Sequence, residues 1–185
     1  MRIIAGTLKG RKLQPPKDDR IRPTSDRTRE SIFNLLMHGQ FGGTSIVGQR
    51  VADLCCGTGA LGLEAISRGA STCYFVDQDK AALALAKQNT MHCNVAAQAQ
   101  FITADITRLP PLSQPMALVL LDPPYGKNLL PNAYGSLTGQ GWIASGTLLV
   151  AELPSTTEPP MLDGATLVKS RAYGKKTMIH IWQIT

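Results

Sequence analysis

The stretch Asp53-Leu54-Cys55-Cys56-Gly57-Thr58-Gly59-Ala60-Leu61-Gly62 decides the fold. Residues Val51–Cys55 before it are apolar enough for a buried strand, and Leu61–Arg68 within and after it have helical character. Between them, residues 57–62 read Gly-x-Gly-x-x-Gly, a turn whose backbone can approach a ligand without a Cβ in the way. The alternation then repeats outward. Cys73–Val76 reads as a strand and Lys80–Met91 as a helix; Phe101–Ile102 begins a shorter strand, and Leu118–Leu121 and Leu148–Ala151 are two more. Leu167–Ala172 and Thr177–Ile184 form a hairpin around Tyr173-Gly174-Lys175-Lys176. Strands alternating with helices require right-handed crossovers and a mostly parallel sheet. The expectation is an open, doubly wound α/β fold of seven strands with an antiparallel carboxy-terminal hairpin. Its ligands belong beyond the carboxyl ends of the strands.

Composition narrows the class. At 185 residues the chain suits one domain, burying roughly 70% of its unfolded surface. Hydrophobic residues at 43% and charged residues at 17% exclude a disordered chain and a charged coiled coil. No apolar run approaches the ~18 residues of a membrane span. The start, MRIIAGTLKG, lacks the apolar core of a signal peptide, and four cysteines show no CxxC pairing. We therefore expect a cytoplasmic protein with reduced thiols, no membrane association and no bound metal. His38, His92 and His180 are scattered without ligand spacing.

The net charge of +6 is unevenly placed. Residues 1–29 hold nine Lys and Arg against three acids, residues 169–185 hold four against none, and the middle is acidic. Two basic ends that meet in space would form a cationic face for phosphate backbones. Ile3, Ile4, Leu8, Leu13 and Ile21 interleave with the first set of charges, which suits an arm that packs rather than a loose tail. Ser25 or Asp26 can cap a helix through Arg29, Ile32, Phe33, Leu35 and Leu36. This divides the chain into an arm and helix at 1–43, serving as a docking segment, and a main body at 44–185.

The glycine turn with Asp77 twenty residues beyond Gly57 fits any adenosine cofactor, NAD included. Asp53 separates the possibilities. It ends the first strand, where its charge would repel a pyrophosphate but attract an ammonium and a sulfonium. Asp77 can accept both ribose hydroxyls, and Asp105, past the third strand, can take the adenine amino group. The cation S-adenosyl-L-methionine suits these acids better than NAD.

The fourth strand ends in Leu121-Asp122-Pro123-Pro124-Tyr125. Two prolines remove two backbone donors and leave carbonyls in a rigid turn. An acid, free carbonyls and an aromatic ring together suit a planar base bearing an amino group. Asp122 and the Pro123 carbonyl would accept its two N–H hydrogens, and Tyr125 would stack on its face. Cys56 could be a nucleophile of the kind that attacks base carbons, but an exocyclic amine needs no covalent activation, so we read it as packing. Glu30 and Glu64 receive no chemical role.

Asp53–Gly62, Asp77, Asp105 and Asp122–Tyr125 resemble the class I S-adenosylmethionine-dependent methyltransferases that modify exocyclic amines. Arg2-Ile-Ile-Ala-Gly6, Gly10-Arg-Lys-Leu13, Arg22-Pro-Thr-Ser-Asp-Arg27, Arg29-Glu-Ser-Ile-Phe-Asn34, Leu61-Gly-Leu-Glu-Ala65 and Ser67-Arg-Gly69 narrow the resemblance to the RsmD-type group. It covers almost the whole chain. That group's Rossmann-like enzymes methylate guanine N2 in bacterial 16S ribosomal RNA. The resemblance implies cofactor contacts from Asp53, Cys55, Gly57, Gly59, Leu61, Asp77, Gln78, Asp105 and Ile106. It implies a catalytic group of Asp122, Pro123, Pro124 and Tyr125, and RNA contacts from Arg11, Arg22, Thr24, Arg27 and Arg29. The implied partner is 16S rRNA or an assembling small subunit, and we expect a monomer. The alternatives are a DNA adenine-N6 methyltransferase, which the chain is short of a target-recognition region to be, and a nicotinamide-dependent oxidoreductase, which Asp53 opposes.

The resemblance has two departures. Cys55-Cys56 stands where the group often has Phe-Ala. Pro131, Gly135, Gly139 and Gly141 lie between Tyr125 and Trp142, and this composition weakens the helix expected there.

Overall fold

A computed structural model describes residues 1–16, 25–38, 46–124 and 129–185. Seven strands form one sheet: β1 (Arg50–Leu54), β2 (Thr72–Asp77), β3 (Ala99–Thr103), β4 (Leu118–Leu121), β5 (Leu148–Pro154), β6 (Ala165–Tyr173) and β7 (Thr177–Ile184). Their order is β3-β2-β1-β4-β5-β7-β6. The first five run parallel, and β7 pairs antiparallel with both β5 and β6. The hairpin is thus antiparallel as expected, and its second strand lies inside the sheet while β6 forms the edge. β1 and β4 flank the point where the winding reverses, so the carboxyl ends of these two strands open a crevice.

Helices α1 (Asp26–His38), α2 (Ala60–Ser67), α3 (Lys80–His92) and α4 (Leu130–Gly139) complete the fold. Val51, Leu118, Leu120, Leu148 and Val150 face Ile32, Phe33 and Leu36 of α1 in one apolar cluster. Leu54, Val119, Leu121, Leu149 and Trp142 face the buried side of α4 in another. Every residue of α2 is buried, and a Cβ on Gly62 would lie 2.4 Å from Cε1 of Phe75. Only glycine lets α2 settle this closely on β2.

The weak helix forms after all. Pro131 falls in the first turn of α4, where a missing N–H costs nothing, and Gly139 and Gly141 fall at its end. Gly135 alone is interior, at about 1 kcal/mol. Burial of Leu130, Ala133, Tyr134 and Leu137 outweighs that penalty.

The amino-terminal arm packs. Ile3, Leu8 and Leu13 are buried against Leu63, Ile66, Phe75 and Leu83. Arg2 and Lys12 form an isolated antiparallel bridge. The fully buried carboxylate of Glu64 accepts the Ile4 amide at 2.8 Å and the Ala5 amide at 3.0 Å, and pairs with Nε of Arg68 at 2.8 Å. Ser67 Oγ accepts the Leu8 amide at 3.0 Å, and Asn89 Oδ1 accepts that of Gln14 at 2.7 Å. Glu64 therefore ties the arm to α2, a job its place in the sequence did not reveal.

Candidate active site

Beyond the carboxyl ends of the parallel strands lies a cleft of about 870 Å³. Asp53, Cys55, Gly57, Leu61, Asp77, Gln78, Asp105 and Ile106 line it, as do Asp122, Pro123 and Pro124. One cavity thus gathers residues that the sequence spreads over seventy positions. Gly59 belongs to the same turn and caps α2 in a left-handed conformation, φ 76°. Tyr125 lies outside the described residues.

Each acid accepts at least one backbone amide. Asp53 is 1% exposed, and its Oδ2 accepts the Gly62 amide at 2.8 Å. Burial pushes its carboxyl well above the ordinary range; the Gly62 amide opposes this, and the charges of Asp122 and Asp77 reinforce it. Asp77 Oδ2 accepts the Gly57 amide at 3.0 Å and Oδ1 the Asp79 amide at 2.9 Å, which folds the glycine turn back over β2. Asp105 Oδ1 accepts the Thr107 amide and hydroxyl, both at 2.9 Å. Asp53, Asp77, Asp79, Asp105, Asp122 and Glu152 line the cavity against Lys175 and Lys176, so acids outnumber bases there. A cationic ligand lowers the cost of ionising Asp53, whereas a pyrophosphate raises it.

Burial works against a nucleophilic role for either loop cysteine. Burial, followed by the charge of Asp77, pushes the Cys55 thiol far above its usual value. Burial does the same for Cys56, with Asp53 next. Neither environment favours a thiolate, which suits Cys56 as packing, while Cys55 lines the cleft. Cys55 also takes a left-handed backbone, φ 57°, rare for a residue with a side chain and placed where the chain leaves β1.

The residues expected to meet phosphate separate into three groups. Arg22 and Thr24 lie outside the described residues. Arg27 is exposed on the first turn of α1, and Arg11, also exposed, donates from Nη1 to the His92 carbonyl at 3.3 Å. Arg29 corrects the expectation. It is 0% exposed, and its Nη2 donates to the Arg2 carbonyl and to Asp26 Oδ1, each at 2.7 Å. Helical periodicity turns this position inward beside Ile32 and Phe33, so its charge fastens arm to helix.

Sequence reasoning missed one wall of the cleft. Tyr173, Lys175, Lys176 and Thr177, from the tip of the β6–β7 hairpin, line it, together with Ser25, just before α1, and Thr28 of α1. Ser25 Oγ accepts the Thr28 amide at 3.1 Å and so caps α1. Ser25 and Thr28 thus bring the amino-terminal segment to the cavity that the basic hairpin tip also lines. The excess charge of residues 169–185 was the available signal. Glu152 of β5 also lines the cleft. Its position at the carboxyl end of a parallel strand could have flagged it.

Comparisons with known proteins agree with this geometry. A family model described as Conserved hypothetical protein 95 matches residues 1–182. Ribosomal RNA small subunit methyltransferase D of Escherichia coli (strain K12) is 34% identical over 153 residues, covering 82% of this chain and 74% of the relative. The protein of the same name from Haemophilus influenzae is 33% identical over 181 residues, covering 94% and 89%. A solved structure of yhhF from Escherichia coli, a candidate methyltransferase by its own description, has a TM-score of 0.82. It is 30% identical and covers 100% of this chain and 97% of that one. An RNA methyltransferase from Salinibacter ruber, in complex with S-adenosyl-L-homocysteine, shares the fold with a TM-score of 0.67 at 15% identity. That likeness covers 88% of this chain and 94% of the other.

Proposed function

This chain belongs to the Conserved hypothetical protein 95 family, and from that premise we propose that it methylates the exocyclic N2 of a guanine in 16S ribosomal RNA. Methylation of ribosomal RNA with S-adenosyl-L-methionine follows from its relatives; the base and the atom are our reading. One observation carries that reading. The Asp122-Pro123-Pro124 edge, suited to an amino group, lines the same cleft as the acids suited to a cation.

The residues present fit the cofactor, because buried Asp53 calls for a positive partner and Asp77 and Asp105 stand at the next two strand ends. When bound, S-adenosyl-L-methionine supplies a methyl group made electrophilic by a sulfonium. Asp53 holds the ammonium, Asp77 the ribose and Asp105 the adenine. Asp122 and the Pro123 carbonyl accept the two hydrogens of guanine N2. This withdraws the nitrogen lone pair from the ring and aims it along the line of attack. Asp122 stabilises the positive charge that develops on N2 and passes the departing proton to water. The target atom must leave its stack to enter the cleft, so a loop or flipped guanine is the substrate. Arg11, Arg22, Thr24 and Arg27 hold phosphates, as do Lys175 and Lys176 at the hairpin tip. Segment 1–43 serves as the docking element of a monomeric enzyme.

The test is incubation with tritiated S-adenosyl-L-methionine and transcribed 16S rRNA, free and reconstituted into small subunits, followed by nucleoside analysis. Label in N2-methylguanosine is expected. Label in N6-methyladenosine would overturn the base assignment. Calorimetric binding of NADH in place of S-adenosyl-L-methionine would overturn the reaction.

A further inference from the structure

The Asp122-Pro123 edge reads an amino group and nothing more. Adenine N6 and guanine N2 both offer two N–H hydrogens on a ring carbon next to a ring nitrogen. A cleft that used only this edge would take either base. The bases differ at the neighbouring ring nitrogen: N1 of guanine carries a hydrogen, and N1 of adenine presents a lone pair. An acceptor placed beside Asp122 would separate them.

Glu152 stands at that place. β4 and β5 are parallel and in register through Leu121↔Ala151. Asp122 directly follows the end of β4 and Glu152 is the next residue along β5, where the paired strands lie roughly 4.8 Å apart. Alternation carried one residue past the end of β4 would put both side chains on one face of the sheet. Asp53 is level with Leu120, and Leu120 with Val150, so the residues two further along β4 and β5 share their side. Asp122 and Glu152 line the same cleft. On the far side of Glu152 the antiparallel partner is Ile179 of β7, which is fully buried and apolar. The hairpin residues Tyr173 and Thr177 close that flank of the cleft.

We propose that Glu152 selects guanine by accepting the N1–H hydrogen beside the amino group held by Asp122. This rests on the guanine-N2 reading above. The carboxylate pairs with guanine across a charge-assisted hydrogen bond and meets adenine lone pair to lone pair. Glu152 is a specificity residue: it touches the base but takes no part in methyl transfer, so its loss changes which base is accepted and leaves cofactor affinity intact.

The methylated position is first mapped on transcribed 16S rRNA, free or in reconstituted small subunits. The same RNA is then assembled by splinted ligation with 2-aminopurine there, a base that keeps the amino group at C2 but has an unprotonated N1. Single-turnover kcat/KM is measured for both RNAs with wild-type enzyme, Glu152→Gln and Glu152→Ala. The wild type should favour guanine by at least roughly tenfold, the scale of one hydrogen bond to a charge. Glu152→Gln, which can turn its amide N–H toward a lone pair, should bring the ratio close to one and use 2-aminopurine better than Glu152→Ala does. Loss of O6 in 2-aminopurine affects every enzyme alike, so it cancels in the comparison. An unchanged ratio in Glu152→Gln with wild-type cofactor affinity overturns the proposal. So does a wild-type ratio near one, with no variant needed. No label on guanine N2 in the wild type would instead overturn the function on which the proposal rests.

Discussion

Replacing Asp53 by Asn removes a charge and little else. An Asn carbonyl can still accept the Gly62 amide that Asp53 holds at 2.8 Å, so α2 keeps its anchor. Burial raises the Asp53 carboxyl well above its ordinary range. Between the unfolded value of about 3.9 and that raised value, the folded chain binds more protons than the unfolded one. Stability from this group therefore falls as pH climbs through the window. The Asn variant is free of that cost, so without ligand it should melt at or above the wild-type temperature at pH 7, with the difference closing toward about pH 4. Cofactor affinity should move the other way. A hydrogen bond to a charged group contributes about 1.5–3 kcal/mol, which converts to a Kd roughly 10- to 150-fold weaker. Calorimetric titration with S-adenosyl-L-methionine, beside melting curves from pH 4 to 7, measures both. An unchanged Kd would refute Asp53 as the cation's partner. A weaker Kd accompanied by a lower melting temperature at pH 7 would refute the electrostatic explanation, because the variant would then have damaged the fold.

Asp122→Ala should retain S-adenosyl-L-methionine affinity yet lose about 100- to 1000-fold in single-turnover rate, the scale of one transition-state hydrogen-bonding group; near-normal turnover would contradict its role. Lys175→Gln with Lys176→Gln should weaken RNA binding and flatten its salt dependence by about 0.7 per lost phosphate contact, read from binding at several salt concentrations. Arg27→Gln should behave the same way with an unaltered melting curve. Arg29→Met should instead destabilise the chain by about 1–3 kcal/mol in a denaturant titration, because it strips buried partners from the Arg2 carbonyl and Asp26. A salt-slope change in that variant without loss of stability would show that Arg29 contacts RNA after all.

Local signals made the parallel core legible. The glycine turn, the strand-end acids and the Asp-Pro-Pro edge are each contiguous or tied to one strand, and they converge because parallel strands share a carboxyl edge. What escaped was decided by packing between distant segments. Arg29 reads as one of several basic residues, and only the inward turn of α1 distinguishes it from Arg27. Glu64 reads as either a loop-holding group or surface charge on a helix, and only the burial of α2 decides for the first. α4 reads as weak by its number of glycines and its proline, whereas the positions of Pro131 and Gly139 at its ends remove most of the cost. The hairpin tip reached the cleft because β7 pairs beside β5, a choice of sheet neighbour that periodicity does not encode.

The bonds that fasten the arm have a consequence for biosynthesis. Its amides at Ile4, Ala5 and Leu8 find their acceptors about sixty residues later, and that of Gln14 finds its own seventy-five residues later. A translating ribosome adds roughly 5–20 residues per second, so the arm waits seconds for α2 and α3 to appear. During that interval Ile3, Leu8 and Leu13 are solvated and their positive neighbours are unshielded, close to the ribosome's own RNA. The delay also runs in the opposite direction: α2 buries the Glu64 carboxylate only when the arm returns to it. A defect at either end of this contact would therefore be felt first as nascent chains that stall, are captured by chaperones or are degraded, before any finished enzyme could be assayed.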